Sequence, residues 1–179
     1  MKLQSLPLPG LLRIDTEPVA DARGQFVRIY CDSAFDGRHF PQVNLSTTRR
    51  RGALRGMHFQ APPAAEGKLI RCLRGRVFDV AVDLRAGSPT FLHWHGIELD
   101  GEAQTQVYIP EGFAHGFQSL TDDVQLLYFH TAAWSPAHEG RLRHDDPRLA
   151  IRWPLPVRDV SAKDANAALL PQDYRGIQA

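Results

Sequence analysis

Cysteine is scarce in this chain. The two present, Cys31 and Cys72 in 179 residues, lie far apart and in no CxxC spacing, which excludes a disulfide scaffold and points to a reduced, cytoplasmic setting. Neither sits in a nucleophile motif. An excess of one charge is also missing: 21 Lys plus Arg face 20 Asp plus Glu, a formal net charge of +1. No overall field therefore draws the protein to nucleic acid or to an anionic membrane. Long apolar runs are lacking too. Prolines in Leu6-Pro7-Leu8-Pro9 interrupt the N-terminal segment before signal-peptide length, and no later stretch approaches the roughly 18 unbroken apolar residues of a membrane span. Helical pattern is confined to one short candidate, 162–168, with Ser161 as its N-cap. There is no fixed-period repeat and no low-complexity tract.

The composition that remains is that of an ordinary folded protein, with 43% hydrophobic and 23% charged residues. A chain of this length buries roughly 70% of its unfolded surface, enough for a single domain over 1–179. Fourteen glycines and thirteen prolines recur as punctuation between short β-prone runs, which favours many strands and a sandwich or barrel. The clearest runs, 68–73 and 77–84 about Arg74-Gly75-Arg76, read as a hairpin. In the second arm Phe78, Val80, Val82 and Leu84 share a face that packs. Val77, Asp79, Ala81 and Asp83 share the other, which carries two carboxylates. Further strands are expected at 94–99, 106–109, 115–120 and 124–131. The whole predicts an all-β domain with a short helical segment near its end.

Eight histidines raise the question of a metal. Pro110-Glu111-Gly112-Phe113-Ala114-His115 resembles the second metal motif of the cupin barrels, but the first motif reads His58-Phe59-Gln60, with a poor ligand where a second histidine belongs. The other HxH, His93-Trp94-His95, puts two imidazoles on one strand face without an acid in the expected place. The reading is a cupin-like barrel with no metal, in which His58 is free to act as a general base near neutral pH.

The surroundings of His58 carry a wider resemblance. Gln42-Val43-Asn44-Leu45-Ser46, Leu54-Arg55-Gly56-Met57-His58-Phe59-Gln60, Gly67-Lys68-Leu69-Ile70-Arg71, Asp79-Val80-Ala81-Val82-Asp83-Leu84-Arg85, Ser88-Pro89-Thr90-Phe91, Ile109 through Phe117, Trp153-Pro154 and Ser161-Ala162-Lys163-Asp164 run in order. Together they resemble the dTDP-4-dehydrorhamnose 3,5-epimerase family. The resemblance implies a cupin-like double-stranded β-helix (jelly-roll) barrel. It also implies inversion, without a cofactor, of the carbons flanking the ketone of a dTDP-linked 4-keto-6-deoxyhexose, for rhamnose and polysaccharide synthesis. Such chemistry needs a base on one face, a group that stabilises the enolate oxygen, and an acid on the other face.

By that resemblance His58 is the base, Asp164 orients it, Lys68 stands near the sugar ketone and Tyr128 returns a proton. Read alone, without the resemblance, Asp164 is a first-turn helix acid, Lys68 a solvated cation and Tyr128 a core tyrosine. Arg23, Arg55, His115, Glu139 and Lys163 match residues that contact the substrate, and Gln42 and Asn44 match residues near the base. Arginine suits a diphosphate because its planar fork donates two hydrogen bonds at once. Arg49-Arg50-Arg51 reads as a solvated loop. Arg28, Phe129 and Trp134 depart from the family pattern at positions expected around the substrate. The family is typically homodimeric, an N-terminal strand of one subunit completing the other's pocket. A monoepimerase acting at one carbon, a cupin metalloenzyme and a silent sugar-nucleotide binder are the competing readings.

Overall fold

The computed structural model describes residues 1–178. In chain order its strands are β1 (Lys2–Ser5), β2 (Leu12–Asp15), β3 (Val19–Asp21), β4 (Gly24–Phe26), β5 (Gln42–Thr48), β6 (Ala53–Gln60) and β7 (Lys68–Arg74). Then follow β8 (Arg76–Asp83), β9 (Trp94–Asp100), β10 (Thr105–Ile109), β11 (Phe113–Ser119), β12 (Val124–His130), β13 (Glu139–Arg141), β14 (Asp159–Val160) and the helix α1 (Ala162–Ala165). One sheet runs β1-β2-β10-β7-β12-β5. The other runs β13-β6-β11-β8-β9 with β14 parallel to β6, and β3 and β4 form a separate hairpin. From β5 to β8 each strand enters the sheet opposite to its predecessor, giving a jelly-roll sandwich.

That crossing overturns the hairpin expected at 68–84. β7 pairs with β10 and β12, whereas β8 pairs with β11 and β9. The turn at Gly75 (φ +74) carries the chain around the edge of the sandwich. Ile70 and Cys72 then meet Val77 and Ala81 across the central core rather than side by side. Sequence shows that both runs are strands, but not which neighbour each will have.

Both faces of β8 are also packed, where one polar face was expected. Val77 and Ala81 belong to the central core. Val80, Val82 and Leu84 pack outward under Leu142, Leu149, Trp153 and Leu170 of the C-terminal segment. Full burial of each such side chain is worth about 1.5–3 kcal/mol, so this coil is as firmly attached as a strand. Of the two carboxylates on the inward face, Asp83 accepts from Arg85, Ser88 and Thr90. Burial acts to raise its carboxyl, but those donors win and hold it at about 2. The other sheet is capped by Phe35, Tyr30, Phe40 and Phe129 over Ile14, Leu69 and Tyr108.

A bulge in β6 determines the site. Opposite β11, His115 pairs with His58 and Phe117 with Arg55, so three residues on β6 answer two on its partner. Simple alternation would put Arg55 and His58 on opposite faces; the extra residue lets both reach the same cavity. Gly56 makes this possible. Its φ is +124, and an added Cβ would lie 2.5 Å from Gly116 Cα and 2.8 Å from the His115 carbonyl. Gly56→Ala is expected to destabilise the fold by about 2–4 kcal/mol, measured as a lowered urea midpoint. An unchanged midpoint would mean that the bulge can relax around a methyl group.

Candidate active site

Three strands carry an inward stripe that starts as core and ends as cavity wall. On β12, Val124 and Leu126 lie in the central core, and the next inward positions are Tyr128 and His130. On β7, Cys72 and Ile70 lead to Lys68; on β11, Phe113 and Phe117 flank His115. The period of two places these polar groups together at one end of the sandwich. There Lys68, Tyr128 and His130 of one sheet face His115 on β11 and the adjoining strands β6 and β13 of the other across a cavity of about 870 Å³.

Asp164 enters this cavity from α1. Ser161 caps the helix by accepting from the Asp164 backbone N–H at 3.1 Å, and the Asp164 side chain is buried against His58, Nε2 to Oδ1 at 2.7 Å. The helix acid and the histidine partner are thus the same residue. α1 stops at Ala165, shorter than the expected 162–168, because Asn166 and Ala167 close it with turn hydrogen bonds. Burial pushes the His58 imidazole below its ordinary value. Asp164 opposes this, while the charges of Lys68 and Arg141 add to it. Burial also works against ionised Asp164, but the hydrogen bond from His58 holds its carboxyl below the usual range. The pair at neutral pH is therefore imidazole and carboxylate. With Nε2–H donated to Asp164, Nδ1 is the atom able to accept a proton.

Lys68 is buried, not solvated. Its Nζ lies 3.1 Å from Glu66 Oε1 and donates to the His58 carbonyl at 3.3 Å. Glu66 Oε2 is 2.8 Å from His130 Nδ1. Burial would raise the Glu66 carboxyl, but His130 and Lys68 keep it low. Tyr128 stacks on His130 (6.0 Å, 20°) and meets His115 edge-on (6.0 Å, 70°). Burial, with the nearby Asp79 charge, raises its phenol well above the ordinary value, so it stays a proton donor. Asp79 pairs with His115 at 2.8 Å, not with Lys68 or His58.

The structure gathers His58, Lys68, Tyr128, Asp164, Asn44, Arg55, His115, Glu139 and Lys163 around this one cavity. Arg55 is held by Thr48 Oγ1 at 3.0 Å. Two expected residues fall outside the lining. Gln42 uses its side-chain oxygen to accept from the Trp134 backbone N–H at 2.8 Å. Arg23 lies on the exposed β3–β4 hairpin with its side chain 90% exposed, paired only with Asp21. Arg28 is also outside, and Phe129 packs on the outer aromatic cluster; of the three departures only Trp134 reaches the cavity. Arg49 and Arg50 are exposed as expected, yet both stand at its rim. Sequence reasoning missed Glu66, His130 and Arg141. The two-residue period from Tyr128 could have found His130; a three-residue strand such as β13 gives no comparable signal for Arg141. Among the described residues no three His, Cys, Asp or Glu side chains converge as metal ligands, and no helix is long and apolar enough to cross a membrane.

A jelly roll with a His–Asp pair, a buried lysine and a protonated tyrosine at its open end has the architecture of a cupin-like isomerase. The comparisons are specific. Residues 5–172 match the family model for dTDP-4-dehydrorhamnose 3,5-epimerase. The chain is 43% identical to the enzyme of that name from Salmonella typhimurium, covering 92% of this chain and 93% of that one. It is 40% identical to a dTDP-4-dehydrorhamnose 3-epimerase from Streptomyces niveus, over 96% of this chain and 85% of the relative. A solved dTDP-6-deoxy-D-glucose-3,5-epimerase from Legionella pneumophila, in complex with dTDP-4-keto-L-rhamnose, superposes with a TM-score of 0.92. The two share 36% identity, with 99% of this chain and 98% of that chain covered. The chain belongs to the dTDP-4-dehydrorhamnose 3,5-epimerase family and is an isomerase.

Proposed function

We propose that this protein inverts C3 and C5 of dTDP-4-dehydro-6-deoxy-D-glucose, giving dTDP-4-dehydro-L-rhamnose, by proton transfers alone. The observation that carries this is the His58–Asp164 pair sharing a cavity with Lys68 and Tyr128. His58 takes the proton from the carbon next to the ketone, and the electron pair moves onto the ketone oxygen as an enolate. The Lys68 ammonium stabilises that oxygen, which is the largest contribution open to such a site. Tyr128 delivers a proton to the opposite face of the same carbon. Solvent then reprotonates the phenolate and removes the proton from the imidazolium. The sequence repeats on the other side of the ketone. No electrons are gained or lost, so the balance needs neither a redox cofactor nor a metal.

In this reading Arg55, Lys163 and His115, which line the cavity, meet the diphosphate and sugar, and Asn44 meets the nucleobase. The hairpin β3–β4 supports a homodimer: its cross-strand neighbours Val19 and Phe26 are 73% and 75% exposed and form an apolar pair for a second subunit to cover. In this reading Arg23 reaches the cavity of the second subunit. Two free cysteines, one of them buried with its thiol pushed up to about 11 by that burial, fit a cytoplasmic enzyme.

Incubation with the dTDP-4-keto-6-deoxyglucose in deuterium oxide, followed by product NMR, tests the reaction. Deuterium is expected at both C3 and C5. Label at C3 alone would favour the 3-epimerase activity named for the Streptomyces niveus relative, and no label at either carbon would overturn the proposal.

A further inference from the structure

Arg141 has no role in the steps above, yet it stands beside the base. On β13 it is the cross-strand partner of His58, and its side chain lines the same cavity. One guanidinium nitrogen pairs with Glu139 at 2.7 Å. The Nε–H is buried without a hydrogen-bond partner and lies 3.6 Å from Asp164 Oδ1, the oxygen that binds His58 Nε2 at 2.7 Å. A buried unpaired N–H costs free energy, and here it is held against the carboxylate of the catalytic pair. A cation that shares that oxygen makes the carboxylate a weaker partner for imidazolium and also repels the imidazolium directly.

We propose that Arg141 is a positioning residue of the base: its charge beside the Asp164 carboxylate holds that group in place and keeps the His58 imidazole unprotonated and ready to accept a proton from substrate. This inference rests on the reading of His58 as the base. The other charged and titratable groups lining the cavity with His58 are Lys68 and Glu66 from β7 and the preceding loop, Arg55 from β6 and Arg49 and Arg50 from the loop before it, His115 from β11, Tyr128 and His130 from β12, Glu139 from β13, Asp159 from β14, and Asp164 and Lys163 from α1. Of the cations, only Arg141 lies in ion-pair range of the Asp164 carboxylate among the described residues.

Removing a cation within a few ångströms of a half-buried imidazole raises its proton affinity. Arg141→Gln is therefore expected to move the His58 titration, followed by NMR of the imidazole proton in the free full-length enzyme, upward by about half a pH unit or more. The acid limb of kcat/KM should move with it. At a pH on that limb the variant then loses about threefold or more in kcat/KM relative to the native enzyme. Arg141→Lys keeps the charge and is expected to restore most of both. A His58 titration that is unmoved in Arg141→Gln, or one that moves equally in Arg141→Lys, overturns the inference. The NMR measurement needs no turnover, so it separates failure of this proposal from failure of the epimerase reading.

Discussion

His58→Ala is expected to lower turnover by about 10³–10⁴-fold, the upper range for a positioned general base, while changing the affinity for dTDP by less than about threefold. The division follows from where the groups sit. His58 is tied to Asp164 on the β6 and α1 side of the cavity. The guanidinium of Arg55 is held separately by Thr48 and the Thr47 carbonyl, so loss of the imidazole leaves the diphosphate donors in place. Steady-state kinetics with the dTDP-4-keto sugar and calorimetric titration with dTDP measure the two effects. Equal loss of both would mean that His58 organises the nucleotide site as well, and the assignment of a base would fail. The variant is not expected to unfold, because His58 is half-buried and belongs to none of the hydrophobic clusters.

Tyr128→Phe should be nearly as damaging to product formation, by about 10²–10³-fold, and should leave a different trace. The phenol is kept protonated chiefly by burial, so under the proposed mechanism its O–H donates the second proton. Without it, the base can still remove a proton and return one from solvent to the same face. Deuterium exchange into unepimerised sugar is then expected to persist while inversion is lost. Phenylalanine keeps the stacking on His130 and the edge contact with His115, so the packing survives. Near-normal inversion by this variant would assign the second acid elsewhere in the cavity.

Much of this was legible in residue order, and the parts that were not share a cause. Strand positions were readable because Asp-Gly, Pro-Glu-Gly and Thr-Asp-Asp turns separate the β-prone runs. β9, β10, β11 and β12 begin and end within two residues of the expected bounds. Pairing was not readable: the runs at 68–74 and 76–83 look like neighbours, yet they face each other from different sheets. Period-two reasoning also fails at a bulge, which is why Arg55 and His58 could be linked by resemblance but not by counting. Asp164 illustrates a false choice. The Ser161 cap fixes the helix start so that the acid can reach His58, and one geometry serves both ends. Glu66 and Arg141 carried no signal because a loop residue and a three-residue strand have no periodicity to reveal their facing. Arg23 was identified by resemblance alone; its own chain offers it no site within the cavity.

The inward stripes have a consequence for how the enzyme meets its substrate. Lys68, Tyr128 and His115 each lie two positions along a strand from a side chain sealed in the central core: Ile70, Leu126 and Phe117. Rotating any of these strands to open or close the cavity would disturb close-packed interior atoms. These cavity groups are thus held in place by the core. The rim is held differently, for there Arg49, Arg50 and Trp134 are exposed. Substitution there leaves the close-packed interior untouched.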